Sequence, residues 1–125
     1  MGKYKTTVTH GSKPTAEDLI TIKLLQKYPE LANEYWTQVE VADGAEVGRI
    51  DILSKRKTGD YIVVEVKSSA DKVDEAIGQV WRYSFLLAKQ PGYNGIHLQK
   101  WIVTPSSYAS HIQVCKQLGI NLVII

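Results

Sequence analysis

The sequence predicts one domain of mixed α/β class, with a mixed β-sheet flanked by helices in the order αβββαβαβ. Three observations support this prediction. A helical segment near the N-terminus is followed by three β-rich segments that short turns connect, and a strand–helix–strand unit closes the chain. Because such a unit crosses over the sheet, its two strands are expected to pair in parallel. A length of 125 residues suits one domain with one core, so the whole chain, 1–125, is assigned to it.

The N-terminal region is expected to hold a polar arm and then the first helix. The arm covers 1–13 and includes a short strand at Lys5–Thr9. Thr15 is the expected N-cap of the helix, because Asp18 follows at the capping-box position. The helix should end at Tyr28, since a proline comes next.

Three strands are expected in series after this helix. They cover Tyr35–Ala42, Val47–Ser54 and Tyr61–Lys67, and turns at 43–44 and 57–60 separate them, which indicates an antiparallel meander. Ser69 or Asp71 is then expected to cap a second helix. The last four elements are a helix, a strand, a helix and a strand at Val73–Lys89, Lys100–Thr104, Ser106–Leu118 and Asn121–Ile125.

The composition is that of an ordinary globular domain, with 44% apolar and 22% charged residues and a net charge of +2. No apolar run is long enough to span a membrane, and the first residues lack the apolar stretch of a signal peptide. Cys115 is the single cysteine, which rules out an internal disulfide, and we expect a buried free thiol. These features predict a cytoplasmic protein without a membrane partner.

Two predicted strands carry acidic residues that need an explanation. Asp51 lies between two isoleucines, although strands disfavour aspartate and burial of a carboxylate is costly. Glu65 and Lys67 are two positions apart in the next strand, so they point to the same face. A hairpin would place Asp51 beside Glu65. Two carboxylates and an ammonium would then converge on one site.

This set of groups suits the hydrolysis of a phosphodiester. Two carboxylates and water oxygens are ligands that Mg²⁺ prefers, and Mn²⁺ accepts the same set. Lys67 would orient or help to deprotonate the attacking water, or stabilise the charge that develops on phosphorus; the sequence leaves these roles open. The structural alternative is a buried ion pair between Glu65 and Lys67, with Asp51 at a strand end.

The order Asp51, thirteen residues, Glu65-Val66-Lys67 resembles the core motif of the PD-(D/E)XK, or restriction-endonuclease-like, superfamily of nucleases. Ile50 stands where the name has proline. The resemblance implies a restriction-endonuclease-like fold and a metal-dependent nuclease, with Asp51, Glu65 and Lys67 as catalytic residues.

Glu17 and Gln79 are added to the expected catalytic residues. A helical wheel places Glu17 on the apolar side of the first helix, between Ile20 and Leu24. The superfamily often has a metal-linked glutamate in this helix, although favourable charge at a helix N-terminus would also explain Glu17. The expected metal ligands are therefore Asp51, Glu65 and Glu17.

Gln79 and Tyr83 share one face of the second helix and resemble the Gln-x-x-x-Tyr motif of RecB-like and NucS-like nucleases. The resemblance implies that the pair flanks the catalytic centre, with Tyr83 touching DNA. Arg82 is a candidate phosphate contact. The similarity to the NucS-like catalytic domain covers about residues 15–125, but it leaves the separate N-terminal DNA-binding domain of those proteins unmatched. The resemblance therefore implies the catalytic domain and not the substrate preference of those proteins.

Several other residues are of types that bind DNA or metal. Lys55, Arg56 and Lys57 form a basic cluster at a predicted hairpin tip, either a solvated tip or a grip on phosphate. The three histidines have no metal-ligand spacing, so structural or exposed positions are expected for His10, His97 and His111. The three tryptophans are expected in the core rather than stacked on bases: Trp36, Trp81 and Trp101.

These arguments predict a Mg²⁺- or Mn²⁺-dependent endodeoxyribonuclease acting on single-stranded, flapped or branched DNA during repair or processing. A Holliday-junction resolvase is the alternative enzyme, and a nuclease-fold module that binds DNA without cutting is the alternative outside enzymes. Because so small a chain covers little DNA, a homodimer or a partner subunit is expected.

Overall fold

The computed structural model describes residues 15–125, so the expected arm at 1–13, the strand at Lys5–Thr9 and His10 lie outside the described residues. The helices and strands are α1 (Ala16–Lys27), β1 (Tyr35–Asp43), β2 (Glu46–Lys55), β3 (Tyr61–Val66), α2 (Val73–Ala88), β4 (Leu98–Thr104), α3 (Ala109–Gln117) and β5 (Ile120–Ile124). Short 3₁₀ turns at Pro29–Ala32 and Ala70–Lys72 precede β1 and α2. The predicted order αβββαβαβ is confirmed.

The strands form one five-stranded sheet in the order β1-β2-β3-β4-β5. The β1–β2 and β2–β3 pairs are antiparallel, whereas β3–β4 and β4–β5 are parallel. Each of the six residues of β3 is buried. Both faces of β3 are buried because the sheet is covered on both sides, and Glu65 is the one charged residue of this strand. The predicted meander, the parallel closing unit and the mixed α/β class are therefore confirmed.

Two hydrophobic clusters cover the sheet. One cluster contains Ala76 and Val80 of α2, together with the buried Cys115 of α3. The other contains Ile20 and Leu24 of α1. The clusters divide the residues of β3 by alternation, since Val63 lies in the first and Val64 in the second.

The start of α1 has the predicted capping box. The Asp18 N–H donates to Thr15 Oγ1 over 3.1 Å, and the Thr15 N–H donates to Asp18 Oδ2 over 2.8 Å. Each side chain thus satisfies a backbone group that a helix terminus leaves open. This contact fixes the residue at which α1 begins.

The regular alternation of side chains breaks in the middle of the β1–β2 pair. Ile50 belongs to the cluster under α2, whereas Ile52, two residues later, belongs to the cluster under α1. The paired residues run on both sides of this point but omit Gln38 and Asp51, and Gln38 has a φ of 52°. The two strands therefore exchange their side-chain faces at Gln38 and Asp51.

On the turn side of Gln38 and Asp51, the second half of β1 and the first half of β2 form a two-stranded arm that packs along α2. This β1–β2 arm is distinct from the N-terminal arm expected at 1–13. Gly48 lies against the ring of Tyr83, where a Cβ on residue 48 would be 2.4 Å from a ring carbon. Near the tip, Lys89 pairs with Asp43 over 2.9 Å. The glycine is needed because the helix side chain occupies the space of a Cβ.

Three local expectations were wrong. Neither Ser69 nor Asp71 caps α2: a 3₁₀ turn intervenes, Lys72 directly precedes the helix, and the Ser69 hydroxyl bonds the Asp71 carboxylate instead. The third helix begins at Ala109 rather than Ser106 because residues up to Tyr108 are extended. Trp81 is 44% exposed rather than in the core, because it follows the inward-facing Val80 by a rotation of about 100°.

Other expectations on single residues agree with the structure. Trp101 is buried and Trp36 is partly buried. His97 is exposed, and His111 is buried with its Nε2 3.0 Å from Asp74 Oδ1. Within residues 15–125, no helix combines the length and the apolarity that crossing a membrane requires.

Candidate active site

Asp51 and Glu65 face each other where β2 and β3 stop pairing. The last backbone pair is Ile52 with Val64, so the next pair in register would be Asp51 with Glu65. Side chains replace the backbone ladder there. The Asp51 N–H donates to Glu65 Oε2 over 3.2 Å, and the Val66 N–H donates to Asp51 Oδ2 over 2.8 Å. The predicted proximity of the two carboxylates is confirmed.

The pKa values of both carboxyl groups are raised strongly. Burial, and secondly the charge of Asp51, raise the pKa of Glu65 to about 9. Burial also raises the pKa of Asp51 to about 6, against the hydrogen bond from the Val66 N–H, which lowers it. Two buried carboxylates repel each other and lack the hydration that would stabilise their charges. The pair therefore has a deficit of positive charge.

Lys67 lies beside this pair but forms its ion pair elsewhere. Its Nζ is 3.1 Å from Glu75 Oε1 in the first turn of α2, and no described acidic residue other than Glu75 is within salt-bridge distance of it. The alternative of a buried Glu65–Lys67 ion pair therefore does not describe this structure. Lys67 itself is only 8% exposed.

Glu75 is the site residue that the sequence analysis missed. Its Oε1 accepts from Lys67 Nζ and also from Gln79 Nε2, over 3.0 Å. The spacing of four residues between Glu75 and Gln79, on the helix that carries the Gln-x-x-x-Tyr pattern, could have indicated it. Gln79 Oε1 is buried and has no hydrogen-bond partner among residues 15–125. An acceptor thus remains available beside the lysine.

Glu17 lies at the second position of α1 and is partly buried. Its charge contributes to raising the pKa of both Asp51 and Glu65, so it faces the same site. However, no three acidic, histidine or cysteine residues within 15–125 are grouped so as to hold a metal ion. The structure brings Glu17 toward the pair without completing a three-carboxylate site, and its role as a ligand stays a prediction.

Tyr83 and Arg82 have partners inside the fold. The Tyr83 ring covers Gly48, and Arg82 donates to the Val47 carbonyl over 3.3 Å. Both side chains therefore attach α2 to the β1–β2 arm. Arg82 is nevertheless exposed. Contact with DNA stays a prediction for both residues.

The basic cluster lies away from the carboxylates. Lys55 pairs with Tyr61 at the turn end of the β2–β3 hairpin. Tyr61 precedes Glu65 by four residues of β3, a distance of about 14 Å along the strand. Arg56 and Lys57 are exposed in the turn, and Arg56 is 3.9 Å from Asp60. The structure does not join Lys55, Arg56 and Lys57 to the predicted catalytic residues.

The donor set fits a hard divalent cation. Each carboxylate commits one oxygen to a backbone N–H and has a second oxygen outside these two bonds. The raised pKa values of both groups mean that burial and mutual repulsion outweigh the attraction of Lys67, and a bound cation would offset both effects. Two carboxylates with water completing the coordination suit Mg²⁺.

Comparison with solved structures identifies the class of fold. The EndoMS–dsDNA2 complex is similar at 16% identity and a TM-score of 0.61, and the match covers 98% of this chain and 49% of that one. A repair endonuclease from Pyrococcus abyssi is similar at 17% identity and a TM-score of 0.56, over 95% of this chain and 49% of that one. An XisH family protein from Nostoc punctiforme PCC 73102 is similar at 15% identity and a TM-score of 0.61, over 88% and 90% of the two chains.

The fold is therefore that of NucS-like nucleases. The chain belongs to the family described as the endonuclease NucS C-terminal domain, whose model matches residues 17–121. It spans 49% of the length of the EndoMS and Pyrococcus abyssi chains. Comparison with curated proteins gave no match.

Proposed function

We propose that this chain is a Mg²⁺- or Mn²⁺-dependent endonuclease domain that hydrolyses phosphodiester bonds in single-stranded, flapped or branched DNA during repair. The observation that carries the proposal is the buried pair of Asp51 and Glu65 with Lys67 beside it. Membership of the NucS C-terminal family supports the reaction class. DNA as the partner is supported by the EndoMS complex, which contains double-stranded DNA.

Asp51 and Glu65 would hold the metal through their oxygens. When bound, the cation would polarise the phosphodiester and favour ionisation of a water. The protein contributes the fixed positions of the two carboxylates, since each is tied to a backbone N–H of the opposite strand. Such preorganised groups need no rearrangement when charge develops.

Lys67, Glu75 and Gln79 would act on the water and on the phosphate. The Lys67 ammonium can donate to an oxygen of the phosphate or to the attacking water, while Glu75 fixes its direction. Gln79 Nε2 is held by Glu75, so the unpartnered Oε1 can accept a hydrogen bond from the water. Glu75 is thus a positioning residue that acts through Lys67 and Gln79.

The assembly of the protein is part of the proposal. A homodimer or a partner subunit is proposed because a domain of this size covers little DNA. Light scattering of the purified protein would measure its assembly. A cytoplasmic location stays a prediction.

The test is a cleavage assay with Mg²⁺ and with Mn²⁺ on matched DNA substrates: single-stranded, flapped, blunt duplex and four-way junction. Cutting of single-stranded or flapped DNA that Asp51→Asn abolishes is the expected result. Selective, symmetrical cutting of the junction would identify a resolvase instead. If the wild type binds DNA but cuts no substrate under either metal, the chain is a non-cleaving module.

A further inference from the structure

A second candidate site lies on the other side of α2 from the arm. It is a groove of about 350 Å³ between α2 and the start of β4. Its lining residues are mostly apolar or aromatic, and a serine, a histidine and a lysine complete it: Trp81, Ser84, Phe85, Ala88, Ile96, His97, Leu98 and Lys100. Trp81 and Phe85 are four residues apart and share one face of the helix, whereas Tyr83 between them points to the arm.

Ser84 provides the observation that points to a ligand. The residue is only 4% exposed, it lines the groove, and its Oγ has no hydrogen-bond partner among the described residues. A buried hydroxyl without a partner is destabilising, and few native proteins keep one without a reason. A ligand seated in the groove would give this hydroxyl its partner.

The remaining walls indicate the chemistry of that ligand. The Lys100 ammonium lies 4.1 Å from the centroid of the Trp81 ring. Trp81 and Phe85 are exposed, at 44% and 59%. The lining residues include no carboxylate. Flat aromatic surfaces, one ammonium group and one hydroxyl match a nucleobase with its phosphate.

The groove is also within reach of the carboxylate pair. Lys100 is paired with Val63, which is two residues before Glu65, or about 7 Å along β3. One DNA strand can therefore extend from the carboxylates to the groove. Duplex DNA could not place a base there without unpairing it, because its bases are stacked inside.

We propose that the groove between α2 and β4 binds an unpaired nucleotide of the DNA strand, with its base stacked on Trp81, its polar edge bonded to Ser84 Oγ and its phosphate near Lys100. This inference rests on the proposed function, because it takes DNA as the substrate. It makes the groove the feature that selects single-stranded or tailed DNA over blunt duplex. A protein partner would instead bind the apolar surface of the groove, and the test below distinguishes this outcome.

The experiment measures binding without cleavage, in buffer with EDTA. A short oligothymidylate and a blunt duplex of equal length are titrated against the full chain, followed by tryptophan fluorescence and by anisotropy of a labelled strand. Quenching and preference for the single strand are expected. Trp81→Ala should weaken single-strand binding by about 5- to 100-fold, as expected for loss of base stacking, and leave duplex binding unchanged.

Two further variants separate recognition from general charge and folding. Ser84→Ala should weaken single-strand binding while raising the melting temperature of the free protein, a combination that a purely structural serine would not produce. Lys100→Met should weaken it more than Lys116→Met, which removes the same charge from an exposed position of α3.

The outcomes distinguish this proposal from the nuclease proposal. If Trp81→Ala and Ser84→Ala bind the single strand like the wild type, the groove proposal is wrong even when the protein cuts DNA. If these variants instead change the oligomeric state in light scattering, the groove is a protein contact and the proposal is also wrong. Trp81-dependent binding in a chain that never cuts would keep the groove and remove only the nuclease.

Discussion

Asp51 and Glu65 replace a missing pair of backbone hydrogen bonds with their own side chains. Glu65 Oε2 accepts the Asp51 N–H, and Asp51 Oδ2 accepts the Val66 N–H on the opposite strand. The strands can therefore separate at this point without leaving either N–H unpaired. The same bonds hold two carboxylates together in a buried place, where only a cation or protons can relieve their repulsion.

The first prediction concerns metal binding. Asp51→Asn keeps the shape of the side chain but removes a ligand charge, so affinity for Mn²⁺ and Mg²⁺ should fall by at least about tenfold. Isothermal titration of the DNA-free protein measures this, and Asp60→Asn in the β2–β3 turn is the matched control. Equal affinity of wild type and Asp51→Asn would remove Asp51 from the metal site.

The second prediction concerns the pH dependence of stability without metal. Glu65 has its pKa raised from 4.5 to about 9, and Asp51 from 3.8 to about 6. The folded state therefore retains protons that the unfolded state releases within these ranges. The free energy of unfolding should fall as pH rises, with Asp51 contributing between 3.8 and about 6 and Glu65 between 4.5 and about 9.

Glu65→Gln removes the larger of these two contributions. Its free energy of unfolding should change little between about pH 6 and 9, and at pH 8 its melting temperature should equal or exceed that of the wild type. Urea denaturation in EDTA across the pH series measures both. A pH profile that Glu65→Gln leaves unchanged would show that Glu65 is not the group responsible.

The third prediction separates the chemical step from DNA binding. Lys67→Ala should lower the single-turnover cleavage rate by about 10²–10³, as expected for loss of one preorganised stabiliser of charge, while DNA affinity in Ca²⁺ stays within twofold. A lysine that only contacts phosphate would behave differently. Its loss would weaken binding and reduce the salt dependence by about one ion.

The fourth prediction concerns Glu75. Glu75→Ala releases Lys67 and Gln79, so kcat should fall by about ten- to hundredfold with little change in KM, because misplaced groups slow chemistry more than binding. Glu75→Gln retains an acceptor and should recover part of the rate. Glu40→Ala, at an exposed position of β1, is the control. A rise in KM alone, or no recovery with glutamine, would contradict the positioning role.

The fifth prediction concerns the contact between the arm and α2. Gly48→Ala would place a Cβ 2.4 Å from the Tyr83 ring, so the fold should lose about 1–3 kcal/mol. Gly78→Ala is the matched control, because it meets no atom within 4 Å and lies within α2, where alanine should stabilise by about 0.5–1 kcal/mol. Chemical denaturation gives both values. Equal effects at the two positions would mean that Tyr83 can move away.

The sequence predicted those features that depend on local chemistry or on strand periodicity. The Thr15 capping box is encoded within four residues, and the shared face of Glu65 and Lys67 follows from alternation. The pairing of Asp51 with Glu65 followed once a hairpin was assumed. Each of these inferences needs only neighbouring residues or a short turn.

The features that escaped prediction depend on tertiary contacts. Glu75 belongs to the site because α2 starts one 3₁₀ turn after Lys67. The spacing from Gln79 gives the shared helix face, but the angle of α2 to the sheet depends on tertiary packing. Trp81 was expected in the core, but in the tertiary structure it lines a groove instead. The exchange of faces at Gln38 is likewise invisible to simple alternation.

The exchange of faces at Gln38 and Asp51 also divides β2 into two parts. One part belongs to the β1–β2 arm, and the other is paired with β3. The arm packs its own face on α2, while the rest of β2 is registered against β3 from Ile52 onward. Adding one residue to each strand of the arm at the Gly44 turn would lengthen the arm without shifting Asp51 along the sheet. An unmatched insertion in β2 between Asp51 and the β2–β3 turn would instead shift Asp51 along β3, away from Glu65. The reach of the arm can therefore vary among related chains while the two carboxylates stay opposite each other.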